Sequence, residues 1–125
     1  MTIPEYAELI TKYAKNNYNK MLREPDGVLK YKFIVPGSCY SNSLWDWDSW
    51  LTNIALREIS DDGIVEYEKG CVLNFVDHIY DDGRMPICIL PTGNAFTEYQ
   101  NLHKPTLAQH AEFISEKIGD VEWLR

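Results

Sequence analysis

The sequence lacks several things, and each lack removes a class of function. It has three cysteines, Cys39, Cys71 and Cys88, with no Cys-x-x-Cys spacing. That count and spacing fit reduced thiols in a cytosolic chain better than a disulfide framework or a zinc site. Its three histidines, His78, His103 and His110, form no His-x-x-x-His or His-Glu-x-x-His pattern, so no metal and no cofactor is expected. Basic residues are scarce, 12 Lys and Arg against 19 Asp and Glu for a net charge of −7, and they are scattered. Phosphate backbones need clustered cations, so nucleic acid is excluded as a partner. No apolar run approaches the ~18 residues of a spanning helix, and Met1–Glu8 shows no basic stretch leading into an apolar one. The expectation is a cytoplasmic protein that neither crosses nor binds a membrane.

At 125 residues, 45% hydrophobic and 25% charged, the chain has the composition of one compact domain with a modest core. Aromatic residues are plentiful, with four Trp, eight Tyr and four Phe, and three of the tryptophans fall between positions 45 and 50.

Apolar residues recur at helical spacing in four places. Tyr6, Ile10, Tyr13, Ala14 and Met21 mark a first helix from Pro4 to about Leu22, with Thr2 placed to cap it. Asp46 or Asp48 is an N-cap candidate for a second, carrying Trp50, Leu51, Ile54, Ala55 and Leu56 to about Ile59. Ile64 to Ile79 and a segment opened by Pro105 give the third and fourth. Turns are expected at Asp61-Asp-Gly63 and Asp81-Asp-Gly83, an extended stretch at Leu29–Val35, and an irregular loop over 84–103, broken by Pro86, Pro91, Gly93 and Asn94. Helices paired through short turns bring the long loops 23–45 and 81–104 to one end.

Chemistry concentrates at those loop ends. Tyr40-Ser-Asn-Ser-Leu-Trp45-Asp46-Trp47-Asp48-Ser49-Trp50 sets aromatic faces beside carboxylates. A pyranose offers a C–H face to stack on a ring and hydroxyls that donate to carboxylate oxygens. The competing reading makes an aspartate a helix cap and Trp47 and Trp50 core residues. A catalytic acid–base pair is not expected from Asp46 and Asp48, because carboxylates on one helical turn cannot straddle a glycosidic bond. Lys104, at the start of the fourth helix, is placed to donate to a hydroxyl; the competing reading is a solvated surface lysine.

The ordered motifs Val35-Pro36-Gly37, Trp47-Asp48-Ser49, Gly83-Arg-Met-Pro86 and Lys104-Pro105 resemble those of trehalases and glycoside hydrolase family 63, over about residues 30 to 112. The resemblance implies an all-α fold, helical hairpins forming part of an (α/α)6 toroid, in enzymes that hydrolyse α-glycosidic bonds with inversion. It implies that Trp47 and Asp48 line the subsite of the non-reducing sugar, that Tyr40 and Trp45 are neighbouring aromatic contacts, and that Lys104 is a polar sugar contact. Ser38–Asn42 replaces the Arg-rich stretch of trehalases, and Ile87 stands where an Asn usually follows the Ile-Pro motif. These departures point to the family 63 branch, with an α-linked glucoside or mannoside, a small oligosaccharide or a glycosylglycerate as ligand. No residue matches the family's general acid or base, which lie in later helices. The chain is therefore expected to be an N-terminal segment, inactive alone, whose apolar helix faces permit self-association. The alternatives are a standalone helical interaction or sugar-binding domain without hydrolase activity, in which the tryptophans serve packing, and a carbohydrate-binding module.

Overall fold

A computed structural model describes all residues except Ser38, Ser41, Asp61 and residues 99–102. Parts of the Ser38–Asn42 stretch, the Asp61-Asp-Gly63 turn and the 84–103 loop thus lie outside the described residues. The order is α1 (Ile3–Asn17), β1 (Leu22–Arg23), β2 (Phe33–Ile34), β3 (Leu44–Trp45), α2 (Asp46–Arg57), α3 (Val65–Val76), β4 (Cys88–Leu90), β5 (Gly93–Ala95) and α4 (Leu107–Ile118). Short 3-10 turns stand at Tyr18–Met21, Asp62–Ile64 and Glu122–Leu124.

The architecture is mixed α/β, and the expected all-α fold, with its partial helical toroid, is overturned. Two antiparallel sheets accompany the four helices: β1 with β2, and β3-β4-β5. The residues read as breakers in the 84–103 loop build a hairpin. Leu90 pairs with Gly93, so Pro91 and Thr92 form a tight turn between strands in register Cys88↔Ala95 and Ile89↔Asn94. Gly93 supplies the positive φ of +134° on leaving that turn. β3 then pairs with β4, Leu44 opposite Ile89 and Trp45 opposite Cys88, joining the two long connecting segments directly.

Strand alternation decides which residues enter the core. Leu44 and Ile89, paired on one face, are fully buried, while Trp45 emerges on the other. The core gathers Leu29, Phe33, Ile34, Val35, Leu44, Leu56, Cys71, Phe75 and Ile89. β2 lies against α3 closely enough that a Cβ on Gly70 would stand 1.8 Å from the Lys32 carbonyl oxygen. Gly27 makes the second close approach: its φ is +56°, and a Cβ there would meet the Pro91 oxygen, to which the Val28 N–H donates at 2.9 Å.

Two helices face differently from the sequence expectation. α1 buries no residue, and Ile3, Tyr6, Ile10 and Tyr13 form an exposed apolar stripe. On α2 the buried positions are Asp46, Ser49, Asn53 and Leu56, whereas Leu51 and Ile54 are exposed beside Trp47. No helix among the described residues is long and apolar enough to cross a membrane.

Buried polar groups link the helices. The fully buried Glu68 of α3 accepts a hydrogen bond from Asn53 Nδ2 of α2 at 2.5 Å. It also faces Arg57 Nη2 at 3.7 Å and Lys117 Nζ of α4 at 3.6 Å. Because Nδ2 of Asn53 points at the carboxylate, its Oδ1 accepts from His110 Nε2 of α4 at 2.8 Å, which places the ring proton on Nε2. Trp50 packs on His110 and Phe113, with ring centroids 5.1 and 5.0 Å away. Trp50, half-buried, thus packs between α2 and α4.

Candidate functional site

The junction between β3 and α2 positions the aromatic and acidic residues. Trp45 takes the N-cap position with extended φ/ψ and no side-chain cap, so Asp46 and Asp48 fall inside the first turn of α2. This corrects the expectation that one of them is the cap. Negative charge is favourable at a helix N-terminus, and Asp46 has a further task. Its backbone N–H donates to the Ile87 carbonyl at 3.0 Å, and its Oδ2 accepts from the Lys104 backbone N–H at 2.8 Å. His103 donates its backbone N–H to the Met85 carbonyl at 3.1 Å. The Gly83–Pro86 and His103–Pro105 motifs therefore meet at the start of α2, with Asp46, 2% exposed, as their common anchor.

Asp48, two residues further along α2, is half-buried. Burial, then the neighbouring Asp46 charge, hold its carboxyl above the usual carboxylate range. Trp47 beside it is 44% exposed. Lys104 is exposed, and with Arg84, Met85, His103 and Pro105 it lines a cleft of about 380 Å³. His103 turns its Nδ1 to the Lys104 carbonyl and its ring edge to Phe75; burial holds its pKa below the ordinary value.

Tyr40, Trp45 and Phe96 form an aromatic strip beside the β3-β4-β5 sheet. Trp45 meets Tyr40 edge-on at 6.4 Å between centroids and Phe96 at 5.5 Å. Its Nε1 donates to Ser43 Oγ at 3.1 Å, which fixes the indole. Sequence reasoning missed Phe96, which follows β5 and depends on a hairpin that the breaker residues concealed. Among the described residues it alone combines a side chain with positive φ, 54°. A bulky residue there costs on the order of 1–3 kcal/mol, and its ring is 54% exposed.

The five sequence-derived residues lie about the β3–α2 junction in two groups. Tyr40 and Trp45 belong to the aromatic strip; Trp47, Asp48 and Lys104 surround the first turn of α2. No single described cavity holds all five. A further cleft, about 810 Å³, lies along α4 and the Glu122–Leu124 turn, lined by Ala108, Ala111, Ser115, Val121 and Leu124.

The cysteines are chemically distinct. Burial pushes the Cys71 thiol up to about 12, and Cys71 Sγ accepts the Ile34 N–H. Burial, with the Asp46 charge beside it, pushes Cys88 up to about 12 as well. Cys39 is exposed. A disulfide exchange reagent at neutral pH should therefore titrate one thiol per folded chain rapidly and three after denaturation; two fast thiols in the folded protein would contradict the burial of Cys71 and Cys88.

No family model, curated protein or solved structure matches the chain.

Proposed function

We propose that this chain is the sugar-contacting segment of an inverting α-glycosidase of the trehalase and family 63 kind, reading a neutral α-linked glucoside or mannoside through Asp48, Trp47 and Lys104. The observation that carries this is Asp48 itself. A carboxylate held half out of water beside a second carboxylate is unfavourable by itself, and hydroxyl donors of a sugar relieve that cost. The exposed Trp47 ring next to it gives the C–H face of a pyranose its partner. Lys104, exposed but with its backbone pinned to Asp46, brings three N–H donors to the same junction.

The chain binds and does not catalyse. Inversion needs two carboxyl groups on opposite sides of the bond, ~6.5–9.5 Å apart. Asp46 is buried and committed to the Lys104 N–H, and Asp48 shares its helical turn. The purified chain should therefore bind methyl α-glucoside or methyl α-mannoside by calorimetry, lose about tenfold affinity on Asp48→Asn, and release no product from either glycoside. Binding indifferent to Asp48→Asn, or turnover by the chain alone, would refute the reading.

A second reading has its own observation. Trp47, Leu51 and Ile54 form an exposed apolar stripe on α2, and α1 carries another. These faces suit self-association or an interaction domain without sugar. Asp48 separates the two readings, since a packing surface has no use for a partly desolvated carboxylate. A cytoplasmic location, where Cys39, Cys71 and Cys88 stay reduced, belongs to the same proposal.

A further inference from the structure

We infer that the apolar stripe of α1 from one copy of this chain lies in the cleft along α4 of a second copy, and that two such contacts close a symmetric dimer. Neither surface holds a residue of the Asp48 site, so the inference stands apart from the sugar reading. α1 is amphipathic yet buries no residue, and Ile3, Tyr6, Leu9, Ile10 and Tyr13 on it are 51–85% exposed. An apolar helix face left wholly in water is an interaction surface without its partner. The cleft of about 810 Å³ is lined by Ala108 and Ala111 of α4 and by Val121 and Leu124 beyond it. Side chains as small as those two alanines let a second helix come close, and Val121 and Leu124, 57% and 45% exposed, supply apolar surface beside it.

Length and charge fit the two surfaces together. Ile3 to Tyr13 spans about 15 Å of helix and Ala108 to Gly119 about 16 Å, at roughly 1.5 Å per residue. Glu112, Glu116 and Asp120 border the cleft, all exposed, and among the described residues lining it there is no Lys or Arg. The second half of α1 and the turn after it carry Lys12, Lys15 and Lys20 and no acidic residue. Lys12 stands three positions on from Leu9, at the edge of the stripe, so a docked α1 brings its ammonium to an acidic rim. Five large apolar side chains and the cleft facing them withdraw on the order of 1,000 Å² from water, and the reciprocal contact brings the total to the ~2,000 Å² of a stable interface. One contact without the other would leave a stripe and a cleft open and add copies without end; two-fold symmetry closes the assembly at two.

Sedimentation equilibrium of the full 125-residue chain tests this, and a dimer is the expected result. Ile10→Glu on α1 and Ala108→Arg in the cleft, both at exposed positions, should each weaken dimerisation about tenfold or more, with circular dichroism and the denaturant midpoint as in the parent. An equimolar mixture of the two variants should regain a heterodimer, since one keeps an intact cleft and the other an intact stripe. Reversing Lys12 and Lys20 together to Glu should cost about threefold to tenfold. A parent chain that stays monomeric up to about 200 µM overturns the inference, whether or not a helix of another protein fills the cleft. A mixture that stays monomeric overturns it too, because it would make α1 pair with α1, as does a dimer that both variants leave intact. Each of these results leaves the Asp48 site standing.

Discussion

Replacing Glu68 with alanine is expected to lower the free energy of unfolding by about 3–5 kcal/mol, because it takes a buried carboxylate away from two cations and an amide. Glu68 is the point where three helices meet. Asn53 and Arg57, one turn apart on α2, reach it from one side and Lys117 of α4 from the other, at 3.7 and 3.6 Å for the two ion pairs. The Arg57 and Lys117 side chains are only 19% and 17% exposed, so removing the carboxylate leaves their charges poorly solvated. Asn53 loses its acceptor, and the His110–Asn53 bond loses the group that orients it. Glu68→Gln keeps an acceptor for Asn53 and most of the volume but not the charge, and should cost about half as much. Denaturant unfolding of the two variants measures this; a loss below about 1 kcal/mol for Glu68→Ala would show that the network does not bind the helices together.

Acid should unfold the protein through His110. Burial, with the Arg57 charge next and His103 after it, drives the His110 pKa down to about 3, from an ordinary value near ~6.5. The folded ring stays neutral while the unfolded one gains a proton, so the unfolded state binds more protons between pH ~6.5 and about 3. Stability is complete above that window and falls by about 1.4 kcal/mol per pH unit as pH drops through it. His103, also held low by burial, adds a loss of the same sign. Glu68 of α3, Arg57 of α2 and Lys117 of α4 surround this cluster. His110→Gln places a non-titrating N–H near the position of Nε2 and should flatten most of the slope between pH 6.5 and 4.5. Unfolding curves at several pH values check this, and an unchanged slope in the variant would assign the acid sensitivity elsewhere.

The four helices were legible because each carries apolar residues at a 3.6-residue spacing over three turns. The strands were not, because none exceeds three residues and their pairing is long-range: Trp45 finds Cys88 across more than forty positions. The Pro91-Thr92-Gly93 turn explains the largest miss. Its residues interrupt helix and end strands equally well, and only the pairing of Leu90 with Gly93 shows which they do. The facing of α2 was misread for a related reason. Leu51 and Ile54 are exposed while Asn53 is drawn inward by Glu68 on α3 and His110 on α4, partners that local spacing cannot display. At the candidate site, residue type and order drew attention to Tyr40–Trp50, but not to the bond from the Lys104 backbone N–H to Asp46, which joins residues 58 positions apart. Phe96 stayed hidden because its placement depends on the hairpin.

Chemical-shift mapping of the isotope-labelled chain during titration with methyl α-glucoside and methyl α-mannoside tests the central claim most directly. The account predicts saturable shifts at the Trp45 and Trp47 indole N–H groups and at the backbone amides of Asp48 and Lys104, with residues along α4 from Ala111 to Gly119 unmoved. No shift at saturating sugar, or shifts confined to the α4 cavity, would contradict it.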